Sequence, residues 1–253
     1  MNPFHEDYSE FGSLYAHLSI EGTIYLAFRD LTAIIKTYLP NPSGRPLKTL
    51  DFGCGTGLST RFLKHCQHLL PYPLEVEGAD ISEAVLKLAQ EADPEGHYVK
   101  MNQQQVPVAD STYDFVHNSF VLFEMESIVQ MTEVLQDIYR VMKKGGLLIA
   151  TTGSVDQYDW RNRWVSLKGD FPENENLRPG QLGRIDLLLQ ENKITFHNYF
   201  WRQEDYEKAL SEAHFTIHQV WRPLGYKAEE VYLPWAWKDE TKVSPYYMLI
   251  AQK

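Results

Sequence analysis

Apolar residues along the middle of the chain follow two spacings, which predict an alternating series of strands and helices. Short apolar or alternating runs are typical of β-strands, whereas apolar residues at i, i+3 and i+4 are typical of an amphipathic helix. Such a series predicts a mainly parallel sheet with helices on both faces, which binds ligands beyond the carboxyl ends of its strands. The predicted strands are 47–51, 74–79, 97–101, 113–118 and 147–152, and the predicted helices are 58–66, 82–92 and 128–142.

Two aromatic-rich stretches, 1–40 and 153–200, fall outside this alternation. The first has a helical pattern, and the second has no clear period and is too long for a simple connection, which favours a lid or cap. The pattern then returns, with a predicted helix at 204–213 and strands at 215–220 and 246–252. We therefore expect a single domain over 1–253, made of an N-terminal helical lid (1–40), a core (45–152), a cap insert (153–200) and a C-terminal helix and strands (201–253).

Composition limits the classes of protein to which the chain can belong. Of its 253 residues 43% are hydrophobic, no apolar run is long enough to span a bilayer, and the first residues do not resemble a secretory signal. The net charge of −10 makes nucleic acid an unlikely partner. The two cysteines, Cys54 and Cys66, predict neither a disulfide nor a metal site, so we expect a cytoplasmic protein without a bound metal.

Glycines at 53, 55 and 57 follow the first predicted strand and precede a predicted helix. Without side chains they allow a ligand to approach the backbone beside the N–H groups of the helix start. Leu58 stands where the dinucleotide fingerprint needs a third glycine, and a P-loop would need lysine there. Asp51, at the end of the strand, would repel a phosphate and attract a cation. The turn therefore suits a ligand with a positive group and no pyrophosphate.

Four segments occur in the order found in a known family. They are 50–57, 78–82, 114–116 and 143–146, which read LDFGCGTG, GADIS, DFV and KKGG. Together they resemble the motifs of the class I S-adenosylmethionine-dependent methyltransferases, over about residues 45–152. The resemblance implies a Rossmann-like α/β fold with a seven-stranded, mostly parallel sheet whose last strand is antiparallel. It also implies S-adenosyl-L-methionine as the cofactor.

The resemblance also implies which residues bind the cofactor. Asp80 would accept hydrogen bonds from the ribose hydroxyls, or serve only as a charge at the start of a helix. Asp51 would lie near the methionine amino group, or cap the glycine turn. Asn102 and Gln103 fall where the family reads adenine, and Tyr15 lies where similar enzymes close the site with a helix. The remaining predicted contacts are Gly53, Cys54, Gly55, Gly57, Ile81, Asn118 and Ser119.

The residues that act on the acceptor are harder to predict. Methyl transfer mainly needs alignment and exclusion of water, and a general base only if the acceptor is protonated. His117, Glu124, His197 and Tyr199 are candidates for that base, and no spacing selects among them; His117 is more simply interpreted as a buried strand histidine.

Aromatic residues in the two irregular stretches favour a small aromatic or apolar molecule methylated on O or N. Arg161 and Arg163 could hold an acidic group of the acceptor, and Trp235 and Trp237 could rim its pocket. The segment 118–121 reads NSFV where base methyltransferases carry an Asn-Pro-Pro motif, so base methylation loses support. A protein or RNA methyltransferase, a non-catalytic S-adenosylmethionine sensor and, more remotely, an NAD-dependent oxidoreductase remain open, as does the oligomeric state.

Overall fold

A seven-stranded sheet forms the centre of the computed structural model, which describes residues 20–40, 44–189, 192–231 and 233–253. Its strand order is β3-β2-β1-β4-β5-β10-β9. The first five strands in that order are parallel, and β10 is antiparallel to both of its neighbours, so the predicted fold class is confirmed. The strands are β1 (Leu47–Phe52), β2 (Leu74–Asp80), β3 (His97–Lys100), β4 (Tyr113–Ser119), β5 (Met142–Gly153), β9 (Thr216–Trp221) and β10 (Tyr246–Gln252).

Five α-helices are described, and two of them begin after a serine that caps their first turn. Ser82 and Ser127 each accept a hydrogen bond from a backbone N–H in the first turn of the helix that follows them. None of the described helices combines the length and the hydropathy needed to cross a membrane. The helices are α1 (Leu31–Tyr38), α2 (Leu58–Cys66), α3 (Glu83–Ala92), α4 (Ile128–Val141) and α5 (Gln203–Glu212).

The boundary between α4 and β5 differs from the prediction. The helix ends at Val141, and β5 begins at Met142 rather than at residue 147. The lysines and glycines at 143–146 are typical of a turn, but in the structure they belong to β5. Gly145 has a φ of +77°, and its N–H donates to the carbonyl oxygen of Lys253, so pairing with the end of the chain holds this irregular segment in the sheet.

Two apolar layers cover the two faces of the sheet. Alternate residues of the central strands point to opposite layers: Phe115 and Ile149 to one, Val116 and Leu148 to the other. The layer containing Val116 packs against α4 and α5, and the layer containing Phe115 packs against α1 and the 3₁₀ turn Gly22–Ala27. The remaining 3₁₀ turns are Gln67–Leu69, Leu122–Glu124, Val155–Tyr158, Pro172–Asn174, Lys227–Val231 and Asp239–Thr241.

The predicted cap insert contains a second, three-stranded antiparallel sheet, formed by β6 (Leu167–Lys168), β7 (Leu182–Leu188) and β8 (Lys193–Tyr199). Ile185 and Ile194 of this sheet join the apolar layer that contains Phe115. The sequence analysis did not predict these strands, because β7 does not alternate regularly (LGRIDLL) and polar residues interrupt the apolar positions of β8 (KITFHNY). The division of the chain into lid, core and cap stays a prediction, and residues 1–19 of the expected lid lie outside the described residues.

Asp114, at the start of β4, ties the edge of the core together and gives the fold a pH dependence. Its carboxylate accepts hydrogen bonds from Arg45, from Lys143 at 2.8 Å and from the backbone N–H of Lys48 at 3.0 Å. Burial alone would raise the pKa of Asp114, but these donors outweigh it and lower the pKa to about 2.

Replacing Asp114 with asparagine is therefore expected to lower the free energy of unfolding at pH 7 by roughly 1–2 kcal/mol, discounted for the solvent that reaches Arg45. A carboxyl whose folded pKa is depressed stabilises the fold above its unfolded pKa, and that contribution is lost as the pH falls from about 4 to about 2. Urea unfolding of both proteins at pH 7 and pH 3 measures the difference, which should shrink at pH 3. Asp110→Asn, in an exposed pair with Arg140, is the control. A deficit of equal size at both pH values contradicts this assignment.

Candidate functional site

A cavity of about 270 Å³ lies beyond the carboxyl ends of β1, β2 and β4, between the glycine turn and the three-stranded sheet. One wall, here called the turn side, includes Gly53, Cys54, Gly55, Asp80, Ile81 and Gln104. The opposite wall, here called the cap side, includes Ile24, Phe28, Leu167, Ile185, Leu187 and Phe196. The cavity therefore joins the predicted ligand turn to the predicted cap.

The glycine turn brings its backbone to the edge of this cavity. Gly53 has a φ of +76°, and a side chain there would collide with Val121, which also lines the cavity. Gly55 has a φ of +51°, and a Cβ at this position would meet no atom within 4 Å. The backbone at Gly55 is thus open to a ligand.

Asp80 ends β2 on the turn side and is anchored by backbone groups. Its Oδ2 accepts a hydrogen bond from the N–H of Gly55 at 2.9 Å, and its Oδ1 accepts one from the N–H of Ser82 at 2.9 Å. Burial raises the pKa of Asp80, although these backbone donors act in the opposite direction. A fixed carboxylate beside an open turn can accept further hydrogen bonds from a ligand.

Asp51 is not brought into the cavity. Its side chain is fully buried and accepts hydrogen bonds from the hydroxyls of Ser59 and Thr60, both at 2.6 Å, and from Nδ1 of His117 at 3.0 Å. Asp51 lies beside His117 in the register of β1 and β4, which explains why the two side chains meet. The structure thus has Asp51 holding the start of α2, and the predicted contact with the methionine amino group stays a prediction.

The end of β4 contributes Ser119 to the cavity, but not its two preceding residues. His117 is buried, its ring lies 6.0 Å from that of Phe28, and its Nε2 has no hydrogen-bond partner within the described residues. Asn118 is buried on the other face of the strand and donates from Nδ2 to the carbonyl oxygen of Phe52 at 3.1 Å. Both side chains therefore stabilise the strand end from within the core.

Of the consecutive polar residues after β3, Gln104 is the one that lines the cavity. Asn102 and Gln105 exchange two backbone hydrogen bonds of 3.0 Å, which closes a tight turn, and Gln103 adopts a φ of +57° within it. The turn leaves Asn102 and Gln103 exposed. Which of these residues lines the cavity depends on the geometry of the turn, and no feature of the sequence distinguishes them.

Gly57 lies behind the turn rather than in the cavity. It is the left-handed residue before α2, with a φ of +76°, and a Cβ there would lie 2.6 Å from the hydroxyl of Tyr98. Cys54 and Ile81 do line the cavity. Tyr15 lies outside the described residues.

Among the four base candidates, Glu124 lines the cavity and the other three do not. His197 is exposed on the face of β8 opposite Phe196 and Asn198, because successive strand residues point to opposite sides. Tyr199 packs against the apolar layer that contains Val116.

The proposed acceptor-binding arginines and tryptophans also lie elsewhere. Arg161 and Arg163 are mostly exposed and pair with Asp159 and Asp170. Trp235 and Trp237 pack against Tyr25, and neither lines the cavity.

Several residues that line the cavity were not predicted from the sequence. Phe28, Gln157, Asn198 and Tyr246 come from four separate parts of the chain. Alternation along β8 could have paired Asn198 with Phe196, but no local signal marks Gln157. These residues meet only because the second sheet folds over the central one.

Comparison with known proteins agrees with this geometry. Residues 50–150 match a family described as a methyltransferase domain. The chain is 27% identical over 127 residues to malonyl-[acyl-carrier protein] O-methyltransferase of Enterobacter lignolyticus, covering 50% of this chain and 47% of that protein. It is 26% identical over 179 residues to N-demethylindolmycin N-methyltransferase of Streptomyces griseus, covering 68% and 69%.

Solved structures share the fold over nearly the whole chain. An S-adenosylmethionine-dependent methyltransferase from Clostridium acetobutylicum has a TM-score of 0.61 at 13% identity, with 98% of this chain and 99% of that chain covered. The chain spans about half the length of the malonyl-[acyl-carrier protein] methyltransferases that it matches. These matches identify residues 50–150 as a methyltransferase domain and leave the acceptor open.

Proposed function

We propose that this chain, which belongs to the class I S-adenosylmethionine-dependent methyltransferases, methylates an O or N atom of a small, apolar acceptor. The proposal rests on the observation that the glycine turn and the cap line the same cavity. Its turn side offers an anchored carboxylate and open backbone, and its cap side offers an apolar wall. A cofactor and a small acceptor bound in this one cavity would be held side by side and aligned for transfer.

The turn side is chemically suited to S-adenosylmethionine. The charged residues that line the cavity within the described part of the chain are Asp80 and Glu124, both acids, which favours a ligand with a positive centre. Asp80 would hold the ribose, the backbone at Gly55 would approach the ligand, and Ile81 and Gln104 would border the adenine. S-adenosylmethionine supplies a methyl group on a sulfonium, ready for in-line displacement.

The cap side favours a neutral acceptor. No Lys, Arg or His lines the cavity among the described residues, so nothing there would offset the cost of burying an acceptor carboxylate. A free carboxylate such as that of a malonyl group is therefore disfavoured. If the acceptor must lose a proton, Glu124 is the candidate base that we propose, because it is the one of the four candidates that lines the cavity among the described residues.

Incubation with methyl-labelled S-adenosylmethionine and a fractionated cell extract tests this function. We expect label in small, neutral, extractable molecules. Label confined to protein or RNA would overturn the small-molecule acceptor, and binding of S-adenosylhomocysteine without any transfer would favour a sensor. Binding of NAD without binding of S-adenosylhomocysteine would overturn the proposal as a whole.

A further inference from the structure

We infer that Gln157 and Asn198 determine specificity by selecting a neutral acceptor that presents a hydrogen-bond donor, a hydroxyl or an N–H group. The inference rests on the proposed function and names the acceptor's recognition group. Both residues line the cavity, and their relative exposures are only 4% and 8%. The cap side of the cavity is mostly apolar, and these two side chains provide polar groups on it.

The orientation of Gln157 is fixed by its amide nitrogen. Nε2 donates to the carbonyl oxygen of Pro245 at 2.8 Å, and the backbone N–H donates to that of Ser154. Its Oε1 accepts no hydrogen bond within the described residues, yet it is not sealed inside the protein. One N–H of Nε2 donates to Pro245, which fixes the orientation of the amide and leaves Oε1 as its acceptor without a partner among the described residues. A carbonyl oxygen can only accept, so a hydrogen-bond donor of a ligand would be favoured beside it.

Asn198 supplies the second polar group. It lies on β8 with Phe196 on the same face, and its side-chain amide makes no hydrogen bond within the described part of the chain. Leaving a nearly buried amide without a partner costs free energy, so a polar group of a ligand would be favoured beside it. Asn198 can both donate and accept, which suits a hydroxyl oxygen whose hydrogen is given to Gln157.

The apolar surroundings make this recognition selective. Leu167, Ile185 and Leu187 give the cap side an apolar surface, and a site built to bond a hydroxyl or N–H rejects an analogue that lacks it. Among the described residues that line the cavity an anionic analogue would meet no basic side chain, so it would be disfavoured as well. The cavity therefore discriminates on charge and on a single donor.

Ligand-observed NMR on the full chain with S-adenosylhomocysteine present tests the inference with 2-naphthol, naphthalene and 2-naphthoate. We expect 2-naphthol to bind at least about tenfold more tightly than naphthalene, and 2-naphthoate to bind weakest. In a Gln157→Met/Asn198→Leu variant the ratio of the first two should fall to near one. Gln219→Leu, on the exposed face of β9, is the matched control and should keep the wild-type ratio.

The variants are first checked for S-adenosylhomocysteine binding and thermal unfolding, and Gln157→Met and Asn198→Leu are also measured singly in case the double variant fails to fold. An unchanged ratio in every folded variant overturns the inference, as does a wild-type protein that binds neither neutral probe or that prefers 2-naphthoate. If label enters small molecules in the extract while the ratio is unchanged, the inference fails and the proposed function stands. If 2-naphthol binds selectively but no acceptor is methylated, the proposed function fails and the donor-selective recognition stands.

Discussion

Replacing Asp80 with alanine is expected to weaken S-adenosylhomocysteine binding by about 100-fold or more. The carboxylate is the anchored acceptor on the turn side of the cavity, and hydrogen bonds to a charged group each contribute about 1.5–3 kcal/mol. In the proposed binding mode Asp80 accepts both ribose hydroxyls, and loss of two such bonds would account for a large decrease in affinity. The change also removes the bond that Asp80 accepts from the N–H of Gly55, which loosens the turn itself. Isothermal titration calorimetry measures the dissociation constant.

Asp80→Asn and Glu83→Gln separate the causes of that loss. Asparagine keeps the size of Asp80 and removes its charge, so most of the loss should persist in a protein that stays folded. Glu83 lies in the first turn of α3, three residues beyond Asp80, is mostly exposed and pairs with Lys100, so its change should leave the dissociation constant nearly unaltered. Because burial raises the pKa of Asp80, the wild-type affinity should begin to fall on acidification at a higher pH than an ordinary carboxyl would give. Similar affinities for Asp80→Ala and wild type would show that the ligand does not use this carboxylate.

The sequence predicted the turn side of the site because that side is local. Gly53, Gly55 and Asp80 lie at the ends of two adjacent parallel strands, so contiguous residues and simple strand alternation bring them together. The seven-stranded sheet was predictable for the same reason, since each unit of strand, helix and strand carries its own apolar period. The local sequence pattern was sufficient to predict those parts of the structure in which residues close in the chain contact one another.

The cap side was not predictable because it is assembled from distant segments. Phe28, Gln157, Asn198 and Tyr246 meet through the packing of the second sheet on the first, which no local period encodes. Their side chains are also common residue types, so only their convergence is informative. The sequence predicted a small aromatic or apolar acceptor from the abundance of aromatic residues, but it did not predict which side chains line the cavity.

Asp51 shows a different limit of sequence reasoning, in which a motif residue is present but its contacts differ from those expected. The family resemblance directs attention toward the cofactor, whereas the register of β1 and β4 places a histidine beside this acid. Ser59 and Thr60 then donate to its other oxygen, Oδ2, from the first turn of α2. The motif identifies the acid, but its hydrogen-bond partners are determined by the residues of β4 and α2 that lie next to it.

Replacing Asp51 with alanine is expected to lower the free energy of unfolding by about 3–5 kcal/mol. The change leaves the hydroxyls of Ser59 and Thr60 and the ring of His117 without their acceptor in a buried site, and unmet buried polar groups are costly. For a domain of this size such a loss corresponds to a fall of about 10 °C in melting temperature. Urea unfolding at pH 7 measures it, with Asp110→Asn as an exposed control expected to change stability by less than about 1 kcal/mol.

Two experiments distinguish a structural role of Asp51 from direct contact with the cofactor. One is a double-mutant cycle with His117, and the other is a measurement of S-adenosylhomocysteine binding. If the buried pair holds the turn, Asp51→Leu/His117→Leu should be more stable than the sum of the single effects predicts, by at least about 1 kcal/mol, because neither member of the pair is then left buried without the other. The affinity of the folded Asp51→Asn protein for S-adenosylhomocysteine should then fall only modestly, since the carboxylate lies behind the turn. A large loss of affinity with wild-type stability would instead mean that Asp51 reaches the ligand directly. The geometry favours the first result, because the three donors that surround Asp51 already occupy it from within the fold.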